Sequence, residues 1–387
     1  MFKMVWFKQL KYMERNKGKM KFNYNIGTKV IFGKDCIKQN RQVLSVYGKK
    51  ALIVTGKKSG KESGALDDVA DALSAEGIAF DIYDRVENNP SLDNVAEGGA
   101  MARNCGADFI IGIGGGSPLD ASKAVAVLAA NEMEPKELFT NKFKSAPLPI
   151  LAVPTTAGTG SEITPYCILT RSDLQTKMSF GNDATFPRIA FMDAGYTESL
   201  PWAVTVNTAV DALSHAVEGY LGRRSTPVSD IFAVEAVKSF GECLPNLMDN
   251  RIDLSVREKL LYAAMLGGMV ISHTGTTIVH GMGYNLTYFM DIPHGKANGF
   301  LMKEYFKFNY GSAKEKIDRI FNCLNVSDVE EFGRIMDVLL PDRPKLSREE
   351  IEQFSSLTMQ QRSTLNNIRE VSKPDVEEIL GKAFLER

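Results

Sequence analysis

The chain has 387 residues, 44% hydrophobic and 24% charged, too long for one compact core and ordinary for a two-domain globular protein. Its 46 basic and 47 acidic residues give a net charge of −1, which excludes the basic footprint of a nucleic-acid binder. No run of 18 apolar residues occurs, so no membrane span is expected. The first 19 residues, MFKMVWFKQLKYMERNKGK, hold six basic residues and one acid around an apolar stretch too short for a signal peptide. They read as an extension ahead of a body that starts near Met20. From there strands and helices alternate: KALIVTG (50–56) as strand, a helix over 65–75, AFDIYDRV (79–86) as strand, a helix over 91–104, a strand over 108–113, the helix LDASKAVAVLAA, then the strand in LPILAVP. That alternation predicts a parallel sheet with helices on both faces. Past about Leu200 helical periods dominate, in PWAVTVNTAVDALSHAVEGYL, VREKLLYAAMLGGMVISH, DVEEFGRIMDVLL and SKPDVEEILGKAF. The expected organisation is therefore an α/β domain over 20–197 and an all-α domain over 198–387. Cys36, Cys105, Cys167, Cys243 and Cys323 are odd in number and lack a CxxC spacing, as in a cytoplasmic protein with reduced thiols.

Ligands of open parallel sheets bind off the carboxyl ends of strands, and three loops lie there. GIGGGSPLD carries Gly115, Gly116, Ser117 and Asp120; its glycines let backbone approach a phosphate, and the helix after them presents free amides. It is not a GxGxxG, because the third position is Ser117, and no Asp follows about 20 residues on. PTTAGTGSE follows the next strand and offers the hydroxyls of Thr155, Thr156 and Thr159 to phosphate or ribose oxygens. The third loop begins at Gly56 and continues Lys57, Lys58, Ser59. An acid at such a strand end binds the ribose diol of NAD; room and positive charge instead favour the 2′-phosphate of NADP(H) over NAD(H).

All four histidines, His215, His273, His280 and His294, lie in the helical half. Asp211 and His215 are four apart inside an apolar helix and so share a face. One carboxylate and three imidazoles suit a divalent metal. Gly275 is expected to break the helix between His273 and His280, whereas His280 and His294 each precede a glycine that lets backbone come close to an ion. The set read from these residues is Asp211, His215, His280 and His294. Glu218 is read as a partner that orients an imidazole or as a plain salt bridge.

GGGSPLDASKA, PTTAGTGSE, DALSHAVEGY and HGMGY…PHGKAN, in this order, resemble the iron-containing (group III) alcohol dehydrogenases, and within them the butanol dehydrogenase type. The resemblance implies a dehydroquinate synthase-like two-domain fold, a homodimer, and Fe²⁺ or in some members Zn²⁺ on residues matching Asp211, His215, His280 and His294. It implies pyrophosphate contacts at Gly115 and Gly116, and nicotinamide-side contacts at Thr155, Thr156, Thr159 and Thr164. Asn89 matches a loop Asn near the cofactor, and Lys177 a Lys on the nicotinamide ribose. Members preferring NAD carry Asp where this chain has Gly56. Many members have a second proton-handling His where Tyr284 stands, and an Asn where His273 stands; Tyr284 can donate and accept but is a weak base at neutral pH, so His273 or a water chain is expected to share the proton transfer with it. The implied reaction interconverts small primary alcohols and aldehydes by hydride transfer, with domain closure excluding water. The rival is a dehydroquinate synthase-like or glycerol dehydrogenase-like enzyme using Zn²⁺ and NAD. The scarcity of Arg and Lys in the segments around the histidines speaks against a phosphate-bearing substrate and for a small neutral one.

Overall fold

The computed structural model describes residues 21–385, so the extension over 1–19 lies outside the described residues. Eight strands precede the helical half: β1 Lys29–Phe32, β2 Lys50–Gly56, β3 Ala79–Val86, β4 Phe109–Gly114, β5 Ile150–Pro154, β6 Cys167–Arg171, β7 Thr176–Phe180 and β8 Ile189–Met192. Six of them form one parallel sheet in the order β1-β8-β5-β4-β2-β3, while β6 and β7 form a separate antiparallel hairpin. Interleaved helices are α1 Cys36–Gln39, α2 Ser59–Glu62, α3 Ala65–Ala75, α4 Leu92–Asn104 and α5 Gly116–Ala130. Of the predicted strands, β2, β4 and β5 lie inside the sheet with side chains buried on both faces, while β3 is its edge. Leu52, Val54 and Ile110 pack with Val95 of α4 and Val125 of α5. The alternate residues Ile53, Phe109 and Ile111 pack with Leu66 and Val69 of α3 on the opposite face. The four-residue strands β1 and β8 are apolar but very short, the hairpin β6–β7 is partly polar, and none of these was expected.

The crossover helix after β2 lies on one face and that after β4 on the other. The adjacent ends of β2 and β4, with Thr55 level with Ile113, therefore form a topological switch point. This sets the Gly56 loop beside the glycine loop at the start of α5.

The helical half comprises α6 Trp202–Tyr220, α7 Pro227–Met248, α8 Leu254–Thr274, α9 Ile278–Met290, α10 His294–Leu324, α11 Val329–Leu339, α12 Arg348–Thr358 and α13 Lys373–Phe384. Helix α6 is buried along most of its length, which is why its sequence is apolar on every side. Its core cluster includes Val210, Leu213 and Val217 with Leu261, Val279, Phe300 and Leu301. Gly275 ends α8 at φ +66°, and Asp291, at φ +55°, turns the chain after α9 so that α10 begins three residues later. No described helix is long and apolar enough to cross a membrane.

Candidate active site

Three helices bring four side chains to one point. Asp211 and His215 project from the middle of α6, His280 from the first turn of α9, and His294 from the first residue of α10. The Nε2 atoms of His215, His280 and His294 lie 3.9, 3.7 and 3.9 Å from Asp211 Oδ1. The rings of His215 and His280 stack at 4.8 Å, and His294 meets His280 edge-on at 5.0 Å. Helix α10 can approach α6 this closely because its second residue is Gly295, where any side-chain carbon would collide with the Asn207 carbonyl.

The His280 ring is held from behind. The Glu218 carboxylate accepts from His280 Nδ1, from the Thr277 amide and hydroxyl, each at 2.7 Å, and from the His280 amide at 3.3 Å. With its proton on Nδ1, His280 turns the Nε2 lone pair toward Asp211. Glu218 thus orients an imidazole, but it is His280 and not the nearer-in-sequence His215. Burial would lower the His280 pKa; the Glu218 carboxylate outweighs it and the pKa is raised. His294 keeps 26% of its side-chain surface, yet burial pushes its pKa down to about 3, so the ring is neutral and its lone pair is available. Asn298, one turn beyond His294, donates to Asp211 Oδ1 at 3.0 Å and lies 3.3 Å from Nε2 of both His280 and His294. Acceptor atoms of a carboxylate and two imidazoles thus converge on a single N–H donor. This hard-and-borderline O/N donor set fits a divalent first-row cation, with Asp211, His215, His280 and His294 as the residues that could hold it. Asp211, His215 and His280 offer ligand atoms all within 4.8 Å of one another.

The cluster forms one end of a cavity of about 490 Å³ between the sheet and the helices. Asn89, Gly116, Ser117, Thr159, Thr164 and Lys177 of the sequence-predicted cofactor set line it too. Asn89, in the left-handed region at φ +57°, ties three loops: its amide donates to Ser117 Oγ at 3.1 Å, its carbonyl accepts from Thr170 Oγ1 at 2.8 Å, and its Oδ1 accepts from Lys177 Nζ at 2.6 Å. Burial lowers Lys177 to about 8. Gly115 packs on Thr156 and Gly116 on Thr159, so close that a side-chain carbon would stand 3.1 and 2.8 Å from them. The glycine and threonine loops are therefore side by side, with Thr155 buried beneath them. Gly56, Lys57 and Ser59 lie beyond the cavity, at the end of β2, and among the described residues neither Lys57 nor Lys58 makes an ion pair.

Two expected roles change. Asp120 reaches the cavity wall, but its oxygens already accept from Ser161 Oγ and the Ile168 amide, so it braces the hairpin rather than offering a free acceptor to a cofactor. His273 is not in the cavity. Its Nε2 accepts from the Asn25 amide at 2.7 Å, its Nδ1 is 2.9 Å from Ser272 Oγ, and its ring stacks on Tyr24 at 3.7 Å. With both ring nitrogens engaged by other groups it has no path to the cluster, and its expected proton-transfer role is withdrawn. Tyr284 does line the cavity, stacked on His294 at 5.3 Å. Burial raises its hydroxyl well above the ordinary tyrosine range, so it holds its proton. Sequence reasoning missed Asn298, although its i, i+4 spacing from His294 repeats that of Asp211 and His215. It also missed Arg224 and Arg362, which enter the cavity from distant loops that no local pattern marks.

Comparison with known proteins shows the family. Residues 27–194 match the model of the iron-containing alcohol dehydrogenases, and residues 205–384 match the C-terminal model of the Fe-containing alcohol dehydrogenase family. The chain belongs to the iron-containing alcohol dehydrogenase family. It is 32% identical over 355 residues to a lactaldehyde reductase of Escherichia coli K12, covering 87% of this chain and 92% of that one. It is 34% identical over 300 residues to a 1,3-propanediol dehydrogenase of Klebsiella pneumoniae, covering 76% and 77%. A crystal structure of an iron-containing alcohol dehydrogenase from Thermotoga maritima superposes with a TM-score of 0.88 at 37% identity, covering 94% of this chain and 99% of that one. The chain is thus a member of a family of alcohol and aldehyde oxidoreductases.

Proposed function

We propose that this protein reduces small aldehydes to primary alcohols with NADPH at a divalent metal, Fe²⁺ or Zn²⁺, held by Asp211, His215, His280 and His294. The observation that carries this is the convergence of three imidazole Nε2 atoms to within 3.7–3.9 Å of one Asp211 oxygen, inside a cavity that also reaches the glycine loop of the sheet. When bound, the ion supplies a Lewis acid for the carbonyl oxygen, and the reduced nicotinamide supplies the hydride that, with a proton, turns aldehyde into alcohol. The protein positions these groups. Gly116 and the first amides of α5 would receive the pyrophosphate, and the Asn89–Lys177 pair the nicotinamide ribose. Tyr284, which keeps its proton at neutral pH, suits proton donation to the product oxygen rather than proton removal from an alcohol.

The NADP preference rests on the β2 end. A side-chain carbon at Gly56 would meet only ordinary contacts, Ser59 Oγ at 3.6 Å and the Val86 carbonyl at 3.7 Å, so packing does not demand glycine there. Its absence of charge beside the exposed Lys57 and Lys58 suits a 2′-phosphate. The five cysteines are all free, in keeping with a reducing cytoplasm. The test is Asp211→Ala and His280→Ala: each should abolish bound metal and butanal-dependent NADPH oxidation together. Loss of metal with activity retained contradicts the proposal.

A further inference from the structure

One wall of the cavity is chemically unlike the rest. It is built from three segments: the loop over 221–225 after α6, the turn over 275–277 between α8 and α9, and the 3₁₀ turn Arg362–Asn366. Asn366, only 5% exposed, laces them together. Its amide donates to the Thr274 and Thr276 carbonyls at 2.8 and 3.0 Å; its Oδ1 accepts from the Arg224 amide at 3.2 Å, and its carbonyl from the Arg223 amide at 2.8 Å. Gly222 and Asn367 add a bridge between the same two strands of chain. The backbones carrying Arg224 and Arg362 are thereby fixed relative to each other, and both arginines line the cavity that holds His280, His294 and Tyr284.

Two further features mark this wall as a binding surface. Among the described residues no carboxylate pairs with Arg224, and the cavity's acids, Asp120 and Asp211, are each engaged elsewhere, with Ser161 and Asn298. Ser363 also lines the cavity, and its buried hydroxyl has no hydrogen-bond partner. That hydroxyl lies against Gly281, the residue after His280, 3.3 Å from where a side-chain carbon would stand. An orphaned hydroxyl thus sits between the arginine turn and the imidazole cluster. A neutral alkyl aldehyde gives the Arg224 guanidinium and the Ser363 hydroxyl nothing to bind. A planar oxyanion matches the guanidinium fork and leaves an acceptor for the hydroxyl.

Resting on the oxidoreductase reading above, we propose that the preferred substrates are short aldehydes whose far end carries a carboxylate, bound by Arg224, Arg362 and Ser363. This replaces the neutral substrate expected from the sequence, where the histidine segments alone were counted. The test uses the iron-loaded enzyme and two four-carbon aldehydes, butanal and 4-oxobutanoate. The wild type should favour 4-oxobutanoate in kcat/KM by roughly tenfold or more, the scale of one charged hydrogen bond. Arg224→Gln and Arg362→Gln should each cut that ratio about tenfold, through KM, and the Lys variants should retain part of it. A wild type that favours butanal, an unchanged ratio in both Gln variants, or a loss that appears in the cofactor KM instead overturns the proposal while leaving the oxidoreductase reading intact. If neither aldehyde oxidises NADPH or NADH, the oxidoreductase reading falls and this proposal falls with it.

Discussion

Glu218 and His273 illustrate how similar residues acquire opposite meanings from their contacts. Glu218 is fully buried, and its cost is met by four hydrogen bonds that fix one imidazole of the cluster. His273 is a histidine seven residues from His280, but it spends its ring on Tyr24 and Asn25. Burial lowers its pKa, and a neutral ring accepting from an amide is what the contact requires. His273→Asn should therefore leave the pH–rate profile unchanged, while the lost stacking and hydrogen bond lower stability by about 1 kcal/mol, read by denaturant titration. A shifted catalytic pKa would show that the ring does reach the chemistry. Lys177 is the residue whose titration should be visible. Its pKa of about 8 makes it a cation below that pH and neutral above it. Cofactor affinity should therefore be full near pH 7 and weaken roughly threefold or more as pH rises through 8. In Lys177→Met the cofactor KM should be raised already at pH 7 and flat across the range. A wild-type cofactor KM independent of pH from 7 to 9.5 would contradict this.

At the scale of elements, the site depends on where strands and helices end. The proposed cofactor side lies at the carboxyl ends of β2, β4 and β5, and the cluster at the first turns of α9 and α10 and the middle of α6. On the proposed reading, the β2 end carries the choice of cofactor. Gly56→Asp introduces a charge that would repel a 2′-phosphate and accept hydrogen bonds from a ribose diol, into space with no contact closer than 3.6 Å. The ratio of kcat/KM for NADPH to that for NADH should fall at least tenfold in this variant. An unaltered ratio would mean that Lys57 and Lys58, not the vacant position, decide the matter, or that the loop does not touch the adenosine at all.

At the scale of the molecule, legibility follows the range of the interaction. Strands β2, β4 and β5 and helix α6 were readable because burial on all sides writes a continuous apolar run, whereas β8, equally buried, is only four residues long. The Asp211–His215 pair was readable because i, i+4 spacing is local. That His280 and His294 join it could be inferred only from residue type, the glycines after them, and family resemblance. Their meeting depends on two reversals, at Gly275 and Asp291, which place α9 and α10 back against α6. The arginine wall was invisible for the same reason: Arg224 and Arg362 are 138 positions apart and are joined only through Asn366. Sheet and helices thus enclose one cavity whose ends hold the cluster and the glycine loop, and the account stands on the cluster being a working metal centre. The direct measurement is iron content per chain and butanal-dependent NADPH oxidation, followed together while anaerobically purified enzyme is stripped by a chelator and refilled with Fe²⁺. The account predicts that activity falls in proportion to bound metal, disappears with it, and returns with about one ion per chain. Full activity in the metal-stripped protein would contradict it.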